Sequence, residues 1–268
     1  MQIRSNNLKD NLKPYDLQYN LMVVTIYDKM KTILNIPDEA IKYILFQRTS
    51  YLKFPHNWFY RKIKKISPIS LYNTFVNTEA YFRRDAIKRL YREDMSIEYE
   101  TIKDHLPQTC KNILDIGCGM AGIDIFLFRH YQSDTKIDYF LFDKTEINQK
   151  VFYGYKEKSA FYNSLILAKS FLRLNGIDES KIHLIEVPSN NKISIDCSFD
   201  LVISLISWGF HYPLSQYLDD VYELLNENGI LILDLRIKTE NLAILQDRFS
   251  SVKQIAEGQK YYRLLAAK

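Results

Sequence analysis

The spacing of apolar residues along the 268-residue chain changes near residue 95. Upstream of that point, apolar side chains recur at the spacing of amphipathic helices, and prolines interrupt the pattern. Three helices are predicted there, over residues 16–35, 38–53 and 78–92. In the last of these, the inward-facing residues are expected to be Phe82, Ala86 and Leu90, or Tyr81 and Tyr91 beside them.

Downstream of residue 95, short apolar runs of strand length alternate with helical stretches. This alternation is typical of a parallel sheet covered by helices. After a helix at 96–105, strands are predicted at 112–116, 137–142, 182–187, 200–205 and 230–235. The remaining helices are predicted at 122–130, 159–174, 218–225 and 240–248. Two final runs, 252–256 and 261–266, are expected to form an antiparallel pair.

The most informative local pattern ends the first of these strands. Asp115, Gly117 and Gly119 stand together as Asp-Ile-Gly-Cys-Gly, and Gly122 completes a literal G-x-G-x-x-G string. Glycines in such a turn allow a sharp bend and a close approach of ligand to backbone. The string alone also admits a dinucleotide cofactor. However, a carboxylate two residues before the first glycine would repel a pyrophosphate and attract a cationic cofactor, and the motif stands late in the chain.

This motif resembles the first motif of the class I S-adenosylmethionine-dependent methyltransferases, and the resemblance extends over about residues 95–268. A third glycine is common in that family where Ala121 stands here, so the loop geometry is expected to differ locally. The resemblance implies an α/β fold with a Rossmann-like seven-stranded methyltransferase sheet and helices on both faces. It also implies an enzyme that uses S-adenosyl-L-methionine and releases S-adenosyl-L-homocysteine. Residues 1–94 are predicted to form an N-terminal helical cap on this domain.

Cofactor-binding residues are expected at the carboxyl ends of the strands, where open α/β sheets bind ligands. The resemblance implies that Asp115 orders the methionine end of the cofactor, directly or through water, while Gly117 and Gly119 let the backbone pass close to it. Asp143, at the end of the second strand, is expected to bind the ribose hydroxyls, unless it only caps the next turn. Two further residues are assigned to the cofactor: Asn190, beside the adenine, and Ser204, at the end of the fourth strand.

The resemblance places the methyl acceptor beside the segment 204–213. Trp208 and Tyr212 are expected to wall the acceptor pocket. His211 is the candidate catalytic base for the acceptor hydroxyl, because an unperturbed histidine titrates near pH 6.5; the alternative is a structural histidine. Arg236, at the end of the fifth strand, is expected to pair with an acceptor phosphate or carboxylate, unless it forms a surface salt bridge.

Positive charge is concentrated in the segment 48–92, which carries eleven Lys or Arg and two acids, a net charge of +9. Because the whole chain has a net charge of +4, the remainder carries −5. Arg84 shares a helix face with Lys88 and Arg92 and is assigned to the acceptor. A basic cap suits an anionic partner, although a solvated helix surface has the same composition.

Two functions remain open on these grounds. The first is an O-methyltransferase that acts by in-line methyl transfer on a small, anionic acceptor, such as a sugar or a phosphorylated precursor of a cell-surface glycan. The alternative is an RNA nucleotide methyltransferase that binds nucleic acid through the basic cap.

No residue cluster suggests a metal. The chain has no apolar run near the ~18 residues that span a bilayer, no signal-peptide pattern and three cysteines without C-x-x-C spacing, so a cytoplasmic protein is expected.

Overall fold

The computed structural model describes residues 34–53, 69–132, 134–145, 163–237, 239 and 241–268. The chain divides into two compact units, 1–35 and 36–268, and the second of them is described here. The helix predicted over 16–35 lies outside the described residues except at positions 34 and 35, and so does the basic run at 61–65. Within the described ranges, no helix has the length and apolar character needed to cross a bilayer.

The second unit is built on a single seven-stranded sheet. Its strands are β1 (Asn112–Ile116), β2 (Asp138–Asp143), β3 (Ile182–Glu186), β4 (Phe199–Ser204), β5 (Leu225–Arg236), β6 (Ser251–Glu257) and β7 (Tyr261–Ala267). The strand order is β3-β2-β1-β4-β5-β7-β6. Strands β1 to β5 are parallel, and β7 lies antiparallel between β5 and β6. The predicted α/β class, the seven strands and the antiparallel final pair are therefore confirmed.

The two central strands, β1 and β4, explain where a ligand can bind. Both are near-continuous apolar runs with buried side chains, as is typical of parallel strands covered on both faces. The chain goes from β1 outward to β2 and β3, then returns to β4 on the other side of β1. Such a reversal opens a crevice at the carboxyl ends of the two strands. The segments that follow β1 and β4 therefore lie side by side.

Helices cover both faces of the sheet. They are α1 (Ile41–Gln47), α2 (Ile69–Phe82), α3 (Arg84–Glu100), α4 (Gly122–His130), α5 (Leu165–Leu174), α6 (Leu218–Leu224) and α7 (Asn241–Arg248). Helix α4 begins and ends at the predicted residues. Helix α5 begins at Leu165 because Ser164 caps it, with the hydroxyl accepting from the amide of Leu167 at 3.4 Å.

The prediction of one helix over 78–92 and another over 96–105 is wrong in its boundaries. Helix α2 ends at Phe82, and α3 continues as one helix to Glu100. Arg83 has non-helical dihedrals (φ −117°, ψ 18°), so the two helices do not share a helical phase. Phe82 is consequently 78 % exposed instead of packed inward. The buried residues of α3 are Ile87, Tyr91, Met95, Ser96 and Glu98.

Ion pairs and hydrogen bonds join the N-terminal helices to each other. Arg48, just after α1, pairs with Asp94 at 3.2 Å and with Glu98 at 2.9 Å on α3. The hydroxyl of Tyr51 donates to the same Asp94 carboxylate at 2.5 Å. Residues 36–94 belong to the same compact unit as the sheet. A domain boundary between residues 94 and 95 stays a prediction.

Candidate cofactor and acceptor site

The loop between β1 and α4, residues 117–121, has the backbone geometry that its glycines suggest. Gly117 and Gly119 have left-handed dihedrals, with φ of +71° and +55°. Ala121 also has a positive φ, +56°, and stands immediately before the first residue of α4. Glycine adopts this conformation without steric cost, whereas alanine is strained in it. The departure from the family's third glycine therefore falls on a backbone position that favours glycine.

Three parts of the molecule converge on this loop. A Cβ atom on Gly117 would overlap the side chain of Ser207, in the segment after β4, and one on Gly122 would overlap Tyr91 of α3. A Cβ atom on Gly119 would lie 2.8 Å from the Oε1 atom of Gln47, at the end of α1. Gly117 is thus required both by close packing and by its dihedral angle, Gly119 by its dihedral angle and Gly122 by close packing. Sequence reasoning did not place Ser207, Tyr91 or Gln47 at this loop, because only the fold brings them there.

Asp143 ends β2 beside the glycine loop, as predicted. One carboxylate oxygen accepts from the backbone amide of Gly119 and from the side-chain amide of Asn163, each at 2.9 Å. The other oxygen accepts from the amide of Lys144 at 2.7 Å. Burial raises the pKa of Asp143 to about 6, although the hydrogen bonds from Gly119, Lys144 and Asn163 oppose that rise. The carboxylate is therefore fixed in orientation and ionised at neutral pH.

Asp115 is buried at the end of β1 and has a second acid beside it, Asp124 in the first turn of α4. Burial, followed by the interaction with Asp124, raises the pKa of Asp115 well above its ordinary value. Burial also raises the pKa of Asp124 to about 7. Asp115, which was predicted to lie at the methionine end of a cofactor, is thus one member of a carboxyl pair. Sequence reasoning did not identify the other member, Asp124.

Ser204 and Trp208 are completely buried. The Ser204 hydroxyl donates to the carbonyl of Ile116 at 2.8 Å and accepts from the backbone amide of Trp208 at 3.0 Å. The indole N–H of Trp208 donates to the carbonyl of Leu214 at 2.9 Å. In this structure neither side chain presents a surface to a ligand, in contrast to the cofactor contact predicted for Ser204 and the pocket wall predicted for Trp208. Together they fasten the segment after β4 to the end of β1.

Tyr212 lies close to the glycine loop. Its hydroxyl is 3.4 Å from the hydroxyl of Ser207 and would be 3.5 Å from a Cβ atom on Gly117. Burial raises the pKa of Tyr212 well above its ordinary value, so the phenol stays protonated and can donate a hydrogen bond. Two hydroxyl groups, those of Ser207 and Tyr212, are therefore positioned beside the glycine turn.

His211 and Arg236 form the exposed part of the same region. The backbone amide of His211 donates to the carbonyl of Ser207 at 2.8 Å, while part of its side chain remains exposed. Partial burial and then the charge of Arg236 lower the pKa of His211 to about 4. The expected value near 6.5 is therefore wrong for this environment. Arg236 donates to the carbonyl of Phe210 at 3.3 Å and lies 5.0 Å from the centre of the Phe210 ring.

Two predicted residues lie on exposed surface. Asn190 is in the turn after β3, where its side-chain oxygen accepts from the amide of Lys192 at 3.2 Å. Arg84 pairs with Asp38 at 2.8 Å, and the same acid pairs with Lys88 at 2.6 Å. Arg84 lines a cleft of about 580 Å³ with residues of α1, α2 and α5. Asp38 partly offsets the positive charge that was assigned to an anionic acceptor there.

Comparisons with known proteins give similar solved structures but no family model and no curated relative. Among solved structures, the chain is similar to a precorrin-6y C5,15-methyltransferase from Geobacter metallireducens, with 15% identity over 66% of this chain and 88% of that one, at a TM-score of 0.44. It is also similar to the StiE O-MT, residues 961–1257, with 12% identity over 71% and 81% at a TM-score of 0.48.

A third similar structure is the 16S rRNA N2 G1207 methyltransferase of T. thermophilus in complex with AdoMet and guanosine. The identity is 12% over 65% of this chain and 42% of that chain, and the TM-score is 0.45. With all three TM-scores below 0.5, the fold assignment rests on the strand order and register of this chain itself. Among the described residues, no group of three or more His, Cys, Asp and Glu side chains is arranged to hold a metal ion.

Proposed function

We propose that this chain is a methyltransferase that uses S-adenosyl-L-methionine. The observation that carries the proposal is the set of buried acids around the glycine loop: Asp115, Asp124 and Asp143. The hydrogen-bond partners of Asp143 are neutral amides, and the groups that act on Asp115 are other acids. A buried negative charge is costly unless an opposite charge compensates it. A ligand that carries a sulfonium and an ammonium group supplies that compensation.

The residues fit the different parts of such a cofactor. Asp143 is held at the end of β2, where an acid is suited to bind ribose hydroxyls. Gly117 and Gly119 leave room for close passage of the methionine end. A dinucleotide fits less well, because its pyrophosphate would lie beside these carboxylates. The bound cofactor supplies a methyl group activated by its positive sulfur.

The acceptor is proposed to be the hydroxyl group of a small anionic molecule, such as a sugar or a phosphorylated precursor of a surface glycan. Tyr212 and Ser207 lie beside the glycine turn and are placed to hydrogen-bond an acceptor oxygen. His211, neutral at physiological pH, is the proposed base, and Arg236 is near enough to His211 to lower its pKa. Arg236 is therefore the proposed partner of an acceptor phosphate or carboxylate. In-line transfer needs this positioning more than it needs a strong base.

The RNA alternative receives less support from the described cap residues. Four basic side chains of the segment 48–92 are engaged with acids: Arg48, Arg83, Arg84 and Lys88. Each ion pair reduces the positive potential available to a phosphate backbone.

The chain's three cysteines are unpaired, which supports the expected reducing compartment, the cytoplasm.

Binding of S-adenosyl-L-homocysteine, measured by calorimetry, tests the cofactor assignment. The wild-type chain is expected to bind it, and Asp143→Ala is expected to lose roughly 10- to 100-fold in affinity, because hydrogen bonds to a charged group are each worth about 1.5–3 kcal/mol. Asp138→Ala is the matched control, since Asp138 is at the opposite end of the same strand. Absence of wild-type binding, or equal affinities for the two variants, would contradict the assignment.

A further inference from the structure

Asp124 is buried without a cation to compensate it among the described residues. Its side chain is completely buried, and beyond its own backbone amide and the carboxyl of Asp115 its carboxylate oxygens have no hydrogen-bond partner in the described ranges. Tyr139, a buried residue of β2 that faces α4 through Phe128, has a hydroxyl with no hydrogen-bond partner in the same ranges. Asp124 is the charged group with the largest effect on that phenol, whose pKa burial raises first. A carboxyl without a compensating cation and an unpaired phenol on facing elements make this part of the core polar.

The groups that face the carboxyl pair are acids, phenols and a thiol. Each belongs to an element packed against Asp115 and Asp124. These groups are Glu98 and Tyr91 of α3, Cys118 of the glycine loop, Asp143 and Tyr139 of β2, and Tyr212 after β4. Glu98 is compensated by Arg48, at 2.9 Å. Two adjacent carboxyl groups in such surroundings cannot both be ionised without a cation, so one of them retains a proton.

We infer that the Asp115–Asp124 pair binds the α-ammonium group of the cofactor's methionine end and releases its shared proton when the ammonium arrives. The inference rests on the proposed function and adds a binding residue, Asp124, and a proton to it. One carboxyl O–H bond breaks, the proton passes to the solvent buffer, and both carboxylates then accept hydrogen bonds from the ammonium N–H groups. The positive charge of the ligand replaces that of the proton, so the net charge of the buried space is unchanged.

The inference predicts a linkage between ligand affinity and pH. Without ligand, burial and the neighbouring acid hold the pKa of Asp115 well above its ordinary value, and burial raises that of Asp124 to about 7, so the pair retains a proton at neutral pH. An ammonium lowers the pKa of both acids in the complex. Affinity for a ligand with the ammonium should therefore rise as pH increases through the neutral range, because fewer protons then have to leave the pair. A ligand without the ammonium should show no such rise.

Calorimetry with two ligands tests this on the full chain. S-adenosyl-L-homocysteine contains the ammonium group, whereas 5′-methylthioadenosine retains the nucleoside and thioether but lacks the amino-acid end. Titrations in buffers of different ionisation enthalpy give the number of protons released. We expect about one proton released per bound S-adenosyl-L-homocysteine at neutral pH and none with 5′-methylthioadenosine.

Variants separate binding from folding. Asp124→Asn should weaken S-adenosyl-L-homocysteine at least about ten-fold and abolish its proton release, since a charge-assisted bond becomes a neutral one, while affinity for 5′-methylthioadenosine stays within about two-fold. The latter affinity also reports that the variant is folded. Asp85→Asn, an exposed aspartate in the first turn of α3, is the matched control.

Each outcome is decisive. Unchanged S-adenosyl-L-homocysteine affinity in Asp124→Asn, equal proton release with both ligands, or binding that requires a divalent metal would overturn the inference while leaving the proposed function intact. Should Asp124→Asn fail to fold, the wild-type proton count with the two ligands still decides the question. Failure of the wild type to bind either ligand would instead refute the proposed function.

Discussion

The cofactor side and the acceptor side of the candidate site differ in how their polar groups are held and in the charge they carry. On the cofactor side, Asp143 is buried and fixed by amides of neighbouring segments. On the acceptor side, His211 and Arg236 are partly exposed, and the contacts that position them involve backbone groups of residues 207 and 210. The first region accumulates negative charge, and the second carries a cation beside a neutral imidazole.

The difference matches the two proposed ligands, a cationic cofactor and an anionic acceptor. Preorganised, buried acids suit one cationic ligand of constant shape, because their orientation is set before it binds. A partly exposed guanidinium suits an anionic group but selects weakly among molecules that carry one. The site for the methyl donor is therefore better defined than the site for the methyl acceptor. If the two regions are independent, a substitution in one leaves ligand binding in the other unchanged.

The largest expected effect concerns the ion pair beneath the acceptor side. Arg263 of β7 and Asp234 of β5 are completely buried and make two contacts of 2.8 Å. Asp234 also accepts from the amide of Ile206 at 3.0 Å, a residue with a φ of +52°. Arg263→Met would leave Asp234 buried without its cation. We expect a loss of about 3–5 kcal/mol in the free energy of unfolding, measured in urea.

The pH dependence of this loss has a defined sign. Burial raises the pKa of Asp234, and Arg263 opposes that rise. Without Arg263 the folded-state pKa moves further above the unfolded value, so the variant should regain stability relative to wild type as pH falls. The double variant Arg263→Met with Asp234→Leu should recover most of the loss. A loss below about 1 kcal/mol, or one equal at about pH 5 and pH 8, would contradict this account.

A smaller effect is expected from a substitution at His211, and it should change the rate of methyl transfer, not the stability of the fold. His211→Ala should lower methyl transfer to phosphorylated sugars about 10²-fold, at the low end of general-base effects, because a base with a pKa of about 4 is weak. Affinity for S-adenosyl-L-homocysteine should stay within about two-fold of wild type if the two sides are independent. Transfer of a radiolabelled methyl group and calorimetry provide the two measurements.

The pH–rate profile sharpens the same prediction. With His211 neutral above about pH 4, the wild-type rate should be flat from about pH 5 to pH 8. Arg236→Met removes the charge that helps to lower this pKa, so its profile should move to higher pH. An inflection near pH 6.5 in both proteins would show that Arg236 does not act on the base, and unchanged turnover in His211→Ala would remove the base role.

Short-range patterns predicted the positions of residues around the glycine loop more completely than those of the segment after β4. Asp115, Gly117 and Asp143 stand at strand ends, and a strand followed by a turn is encoded within about ten residues. The fold, the helix α4 and the final antiparallel pair follow from the same kind of local signal. Long-range contacts were not predictable in this way. Ser204 meets Ile116, 88 residues away, and this contact places Ser204 in the core.

The unpredicted parts of the site share that long-range origin. Asn163 reaches Asp143 across 20 residues, and Arg84 finds Asp38 across 46. The pKa of His211 depends on Arg236, which is on a different strand. Residue type and spacing identified which side chains are capable of chemistry. Burial and partners, which decide how strongly each one acts, depend on packing that no local pattern specifies.

The smallest expected effect concerns nucleic acid and the basic segment 48–92. Because Arg48, Arg83 and Arg84 are engaged with acids, few phosphate contacts are expected from the described part of the cap. A single-stranded RNA should therefore bind weakly, with a shallow salt dependence equivalent to about one or two phosphate contacts, at about 0.7 in log–log slope per contact. Fluorescence anisotropy across a range of salt concentrations measures that slope. A slope steeper than about −3.5 corresponds to five or more contacts. Together with binding at physiological salt, it would favour RNA over a small anion as the methyl acceptor.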